Sequence, residues 1–106
     1  VEMLREIKAI RGGEQIPSRW LTVNAALTEA NAAIFDAAND FSGCIPGVNE
    51  ILRRRGLTLS NRCLDPAETL SPGQTHQLDR VCRQHPDLTD DEFVAANIQR
   101  WLEESA

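Results

Sequence analysis

Four side chains within one short stretch have the types that bind metals or move protons: His76, Asp79, Cys82 and His85. A zinc ion needs three or four such groups converging on one point. On a helix, His76 and Cys82 lie six positions apart and point to different faces, so the two do not chelate together. Cys82 instead shares an apolar face with Leu78. The stretch therefore reads as surface histidines around a core cysteine, and no metal ligand is assigned.

Nucleophilic catalysis needs a base oriented toward a nucleophile. The chain has no G-x-S-x-G elbow, no suggestive Ser/His/Asp order, no P-loop and no G-x-G-x-x-G. The carboxylates Asp65, Glu68, Asp90, Asp91 and Glu92 sit where helix starts want them, and capping accounts for each. Arg53-Arg54-Arg55 precedes Gly56 at an expected helix end, where cations complement the dipole. Trp20 and Trp101 lie at the edges of apolar stripes, as core or interface residues do. The chain contains one lysine, Lys8, and no tyrosine. No catalytic, cofactor-binding or metal residue follows from these types and spacings, and no cofactor is implied.

The elements that would position these groups are mainly helical. Met3, Ile7 and Ile10 recur at helical spacing, with Leu4 beside them, and Gly12-Gly13 ends that stripe. Glu14 to Ser18 reads as a loop fixed by Pro17. Leu21, Val23, Ala25 and Leu27 alternate with Thr22, Asn24 and Ala26, so residues 20–27 fit a strand or a helical turn. Thr28 is a suitable N-cap for a helix carrying Ala30, Ile34, Ala37 and Phe41 on one face. Asn39 and Asp40 weaken that helix, and Ser42-Gly43 breaks it. Pro46 and Gly47 open the next, with Val48, Ile51 and Leu52 as its buried face and Gly56 as its stop. Leu57 to Leu64 reads as an extended linker.

Three capping patterns follow. Asp65-Pro66-Ala67-Glu68 nucleates a short turn. Ser71-Pro72-Gly73-Gln74 places a cap, a proline at the first position and a glutamine able to answer back. Leu78, Val81 and Cys82 face the core until His85-Pro86 stops the helix. Thr89-Asp90-Asp91-Glu92 then opens a last helix with an apolar stripe of Phe93, Val94, Ile98, Trp101 and Leu102.

The chain of 106 residues is one domain at most, with 42% apolar and 25% charged residues, an ordinary globular composition. Its net charge of −5 disfavours a phosphate backbone, so nucleic acid is not an expected partner. Three cysteines, an odd number without a C-x-x-C pair, fit reduced thiols in the cytoplasm. No apolar run approaches the ~20 residues of a membrane span, and no secretion signal is visible. Val1 is not a natural start, which fits a chain that begins inside a longer one.

A resemblance adds to this reading. Asn31 to Asn39 (NAAIFDAAN), Gly43 to Leu57 (GCIPGVNEILRRRGL), Cys63-Leu64-Asp65-Pro66, Leu70-Ser71-Pro72-Gly73-Gln74 and His85 to Asp91 (HPDLTDD) are similar to the tail of dihydrodipicolinate synthase/N-acetylneuraminate lyase family proteins. That tail reads as a helix, an N-P-I-P-V-K-like start of a second helix, a G-L break and an L-T-P-L-S-like cap onto a third. Cys44-Ile45-Pro46-Gly47-Val48 and Glu68-Thr69-Leu70-Ser71-Pro72 stand in the second and fourth of these places. The resemblance spans residues 28–104; its motifs are packing and capping signals, silent on substrate.

The resemblance implies a (β/α)8 barrel, the aldolase-type TIM barrel, followed by extra carboxy-terminal helices. It implies a parent that forms a Schiff base between a barrel lysine and pyruvate or a related 2-keto acid, with a tyrosine assisting. Lys8 sits beside Ile7 on an amphipathic helix, not on a buried β-strand, so it does not inherit that role. The expectation is a mainly α carboxy-terminal fragment of a lyase or aldolase. Residues 1–27 would be a lead-in and 28–106 the helical region. Its partners would be the rest of the parent barrel and homo-oligomer neighbours, and the 2-keto acid would be the parent's substrate. The alternative is a free-standing helical interaction module.

Overall fold

Residues 1–13 and 15–105 are described by a computed structural model; Glu14, the first residue of the expected Glu14–Ser18 loop, and Ala106 lie outside them. Five helices follow in order: α1 Glu2–Arg11, α2 Arg19–Ile34, α3 Cys44–Arg54, α4 Gln74–Gln84 and α5 Asp91–Glu104. Short 3₁₀ turns at Ala37–Asn39 and Pro86–Leu88 join α2 to α3 and α4 to α5. Among the described residues there is no strand, and no helix is long and apolar enough to cross a membrane.

The ambiguous stretch 20–27 resolves as helix. Leu21 is left exposed there, while Ala30 and Ala33 are buried further along the same helix. The stripe buried by α2 is thus made of small residues that let another helix approach closely. Thr28 does not cap α2. It lies mid-helix, where its hydroxyl donates back to the Asn24 carbonyl at 2.8 Å. The division between residues 27 and 28 therefore falls inside a continuous helix.

α2 also ends earlier than its apolar period suggests. Phe35 is its C-cap, and Asp36 turns left-handed at φ 59°. Asp40 and Phe41 are left-handed as well, at φ 50° and 63°. Such angles are unfavourable for residues with a side chain, and for an aromatic especially. The period placed Phe41 on the buried face of α2; it is instead exposed in the connection to α3.

α3 starts after Gly43, with Pro46 and Gly47 in its first turn. Its buried face is Pro46, Gly47 and Glu50 rather than the expected Val48, which points outward, with Ile51 and Leu52 half-buried. The face with the smallest side chains wins because α3 crosses the end of α2 so closely. A Cβ on Gly47 would overlap the Ile34 carbonyl oxygen.

α4 lies against α2, joining Ala30, Ala33 and Val81 in the core with Leu88 packed against them, and Leu78 is fully buried. As expected, α4 ends before His85-Pro86. α1 and α5 bury no residue at all. The radius of gyration is 15.9 Å, against about 13 Å for a compact chain of this length. The accessible surface is 7813 Å², whereas a folded monomer of this mass exposes about 5,900 Å².

Candidate functional site

The sharpest concentration of buried polar groups lies where α2, α3 and α4 meet. It forms because Asp36, leaving α2 left-handed, turns its carboxylate back beneath the connection to α3. Asp36 Oδ2 accepts the backbone N–H of Gly43 at 2.9 Å and the hydroxyl of Ser71, and Oδ1 accepts the Asn39 amide at 2.8 Å. Gln74, the first residue of α4, completes the knot. Its Nε2 donates to the Gly43 carbonyl at 2.9 Å, and its Oε1 accepts the Ser71 N–H at 3.0 Å. Asp36 and Gln74 are 4% and 2% exposed. A Cβ on Gly43 would overlap Gln74 Oε1, so only glycine lets the two helices close on this amide.

The capping pattern at Ser71-Pro72-Gly73-Gln74 is thus half realised. Gln74 answers back to Ser71 as the sequence predicts. The Ser71 hydroxyl serves Asp36 instead, and Gly73, left-handed at φ 82°, takes the N-cap position. Burial acts to raise the Asp36 pKa, but bonds from Ser71, Asn39 and Gly43 outweigh it and hold the carboxyl below its usual value.

A second centre is built on Glu50, 4% exposed on α3. Arg53 holds it with two bonds of 2.9 and 2.8 Å, Arg54 adds one at 2.9 Å, and Asn61 reaches back from the following loop at 2.9 Å. The bond from Arg53, opposed by burial and joined by Arg54 and Asn61, lowers the Glu50 pKa to about 2. Arg54 continues to Asp79 on α4 at 2.8 Å, and Arg55 pairs with Asp91 of α5 at 3.1 Å. The triple arginine at the helix end therefore ties three elements together besides complementing the dipole of α3.

A third pair of contacts joins α2 to the end of α4. Glu29 accepts from Arg80 and lies 2.8 Å from His85 Nε2. His85 first, then Arg80, lowers the Glu29 pKa.

The residues that suggested chemistry are dispersed among these contacts. His85 faces Glu29, Asp79 faces Arg54, His76 is exposed, and Cys82 is half-buried beside Ile51 and Val94 in a groove of about 330 Å³ between α3, α4 and α5. Among the described residues no three His, Cys, Asp or Glu side chains gather as a metal-binding group. Asp65 caps its turn through Ala67 N–H at 2.9 Å. Asp90, left-handed at φ 50°, takes the N-cap position of α5 without a side-chain cap bond, and the Thr89 hydroxyl donates to the Pro86 carbonyl at 2.7 Å, so the expected third capping box is absent. Lys8 is exposed on α1. Trp101 lies against Phe93 at 5.8 Å between ring centroids, and the Trp20 indole N–H is buried without an acceptor among the described residues.

Asp36 and Glu50 were missed from the sequence. Asp36 sits inside an alanine-rich helical period, and Glu50 looks like an ordinary polar residue beside arginines. The one local signal was Gly43 and Gly47 flanking Pro46, a pair that marks close backbone approach. Both carboxylates are ionised and fully engaged by donors, an arrangement that joins helices rather than one poised to exchange protons near neutral pH. Comparison with known protein families, with curated proteins and with solved structures finds no match to this chain.

Proposed function

We propose that this chain is a helical packing and assembly segment, of the kind that follows the barrel in dihydrodipicolinate synthase/N-acetylneuraminate lyase-type proteins. In this reading the apolar faces of α1 and α5 lie against the outer helices of a (β/α)8 barrel and a neighbouring subunit. The joined α2–α3–α4 unit is the rigid platform that presents them. The parent would be a cytoplasmic lyase or aldolase forming a Schiff base with pyruvate or a related 2-keto acid on a barrel lysine.

The observation that carries the reading is the uncovered apolar surface. Leu4, Ile16, Leu21 and Leu102 are each at least half exposed, and neither α1 nor α5 buries a residue. A monomer rarely leaves so many large apolar groups bare unless something else covers them. At ~25 cal/mol per Å², covering a few hundred Å² of such surface contributes several kcal/mol. The motif resemblance over residues 28–104 supports a barrel of this type as the partner.

Borohydride in the presence of pyruvate is expected to trap a polypeptide that joins this chain to an upstream barrel, at a barrel lysine. The 106-residue chain alone is expected to remain unlabelled; labelling at Lys8 would overturn the assignment. A free-standing interaction module is the second reading. It is favoured by the knot at Asp36 and Gln74, which satisfies its own polar groups without help from another chain. A barrel-free open reading frame ending with this sequence would select it.

A further inference from the structure

We propose that a second copy of this chain covers these faces, with α1 of one copy lying parallel to α5 of the other, so that Lys8 and Arg11 meet the partner's Glu103 and the partner's Glu104. The contact forms twice about a two-fold axis. This rests on the assembly reading above and names the partner of the same surface.

Charge supports the pairing. Lys8 and Arg11 fall in the last turn of α1, where they are exposed. The last turn of α5 carries no cation and holds Glu103 and Glu104, both exposed. Carboxylates at a helix C-terminus oppose its dipole, and cations there favour it. Arg100 reaches Glu104 only at 3.8 Å with both side chains about two-thirds exposed, a weak compensation. A parallel α1 supplies two cations where α5 lacks them. It also sets the exposed Leu4 and Ile7 beside Trp101 and Leu102 in the second half of α5, beyond the first turn that Val1 of the same chain already meets through Asp90 at 3.0 Å.

Area leaves room for a second copy as the occupant. The accessible surface of 7813 Å² exceeds that of a compact monomer of this mass by about 1,900 Å². A standard interface removes about 800 Å² per partner. One two-fold contact of that size fits within the excess, and the two-fold gives each copy both halves of the contact.

Sedimentation of the purified chain across micromolar concentrations tests this. A reversible monomer–dimer equilibrium is expected. Lys8→Glu with Arg11→Glu should weaken it by on the order of tenfold or more. Adding Glu103→Lys and Glu104→Lys to that variant should restore it, and all of these changes lie on exposed positions with good helix propensity. Association that ignores the reversal, or that the second pair fails to rescue, overturns this pairing and leaves the assembly reading standing. A chain that stays monomeric at every concentration yet binds an apolar-surface dye also overturns it. A monomer that binds no dye overturns both.

Discussion

Gly43 and Gly47 set how closely α3 can approach its neighbours. Each lacks a Cβ where one would overlap Gln74 or the Ile34 carbonyl. Gly43→Ala or Gly47→Ala is therefore expected to cost more than about 2 kcal/mol, since neither backbone nor the buried amide can yield cheaply. Urea unfolding followed by far-UV circular dichroism measures it, and an unchanged midpoint would refute the close packing. The Glu50 carboxylate makes an acid-side prediction. Its pKa falls from 4.5 to about 2 on folding, so its stabilisation is complete above about pH 5 and is lost as pH drops through the folded value. Asp36 is lowered too and adds to the same acid limb. Glu50→Gln should flatten the decline in stability between about pH 5 and pH 2, read from urea midpoints across that range.

At the scale of elements, the connection between α2 and α3 carries the most backbone strain. Asp36, Asp40 and Phe41 all hold positive φ, and only Asp36 gains a buried network in return. Phe41 is largely exposed, so its side chain contributes little to packing. Phe41→Gly should relieve a left-handed aromatic and raise stability by about 1 kcal/mol. Thermal unfolding checks the sign, and a lower midpoint would mean that the Phe41 ring has packing not evident from its exposure. α5 behaves differently, because it buries nothing. Phe93→Ser with Leu102→Ser should leave the unfolding midpoint nearly unchanged while reducing binding of an apolar-surface dye. A large loss of stability from that double change would place α5 inside the cooperative core.

For the whole molecule, the balance is between a tight centre and loose flanks. α2, α3 and α4 share an apolar contact around Ala30, Ala33 and Val81 and a polar one around Asp36 and Glu50. α1, α5 and the loop bearing the fully exposed Leu59 and Leu64 extend from it. Stability that varies across a chain in this way predicts graded amide exchange. The amides of α2 and α4 near Ala33 and Val81 should exchange slowest. Those of α1 and α5 should exchange quickly in dilute solution and slow as concentration rises. Uniform protection along the whole chain would contradict the division.

The sequence by itself determined the mainly helical class, the stops at Gly12 and His85-Pro86, the short turn at Asp65 and the return bond from Gln74 to Ser71. These depend on local backbone chemistry, which a few neighbouring residues fix. Only the tertiary structure decided that 20–27 is helix, that Thr28 lies within α2 and that Val48 faces out while Glu50 faces in. It likewise decided that Asp36 abandons its helix and that Asp90 starts α5 without a side-chain cap bond. Those outcomes turn on how closely three helices cross and which distant donors, from Asn61 to Ser71, arrive to satisfy a buried carboxylate. Periodicity counts apolar side chains; it does not register that the smallest face of α3 and an ionised one can be the best fit once both arginines and an asparagine close over it.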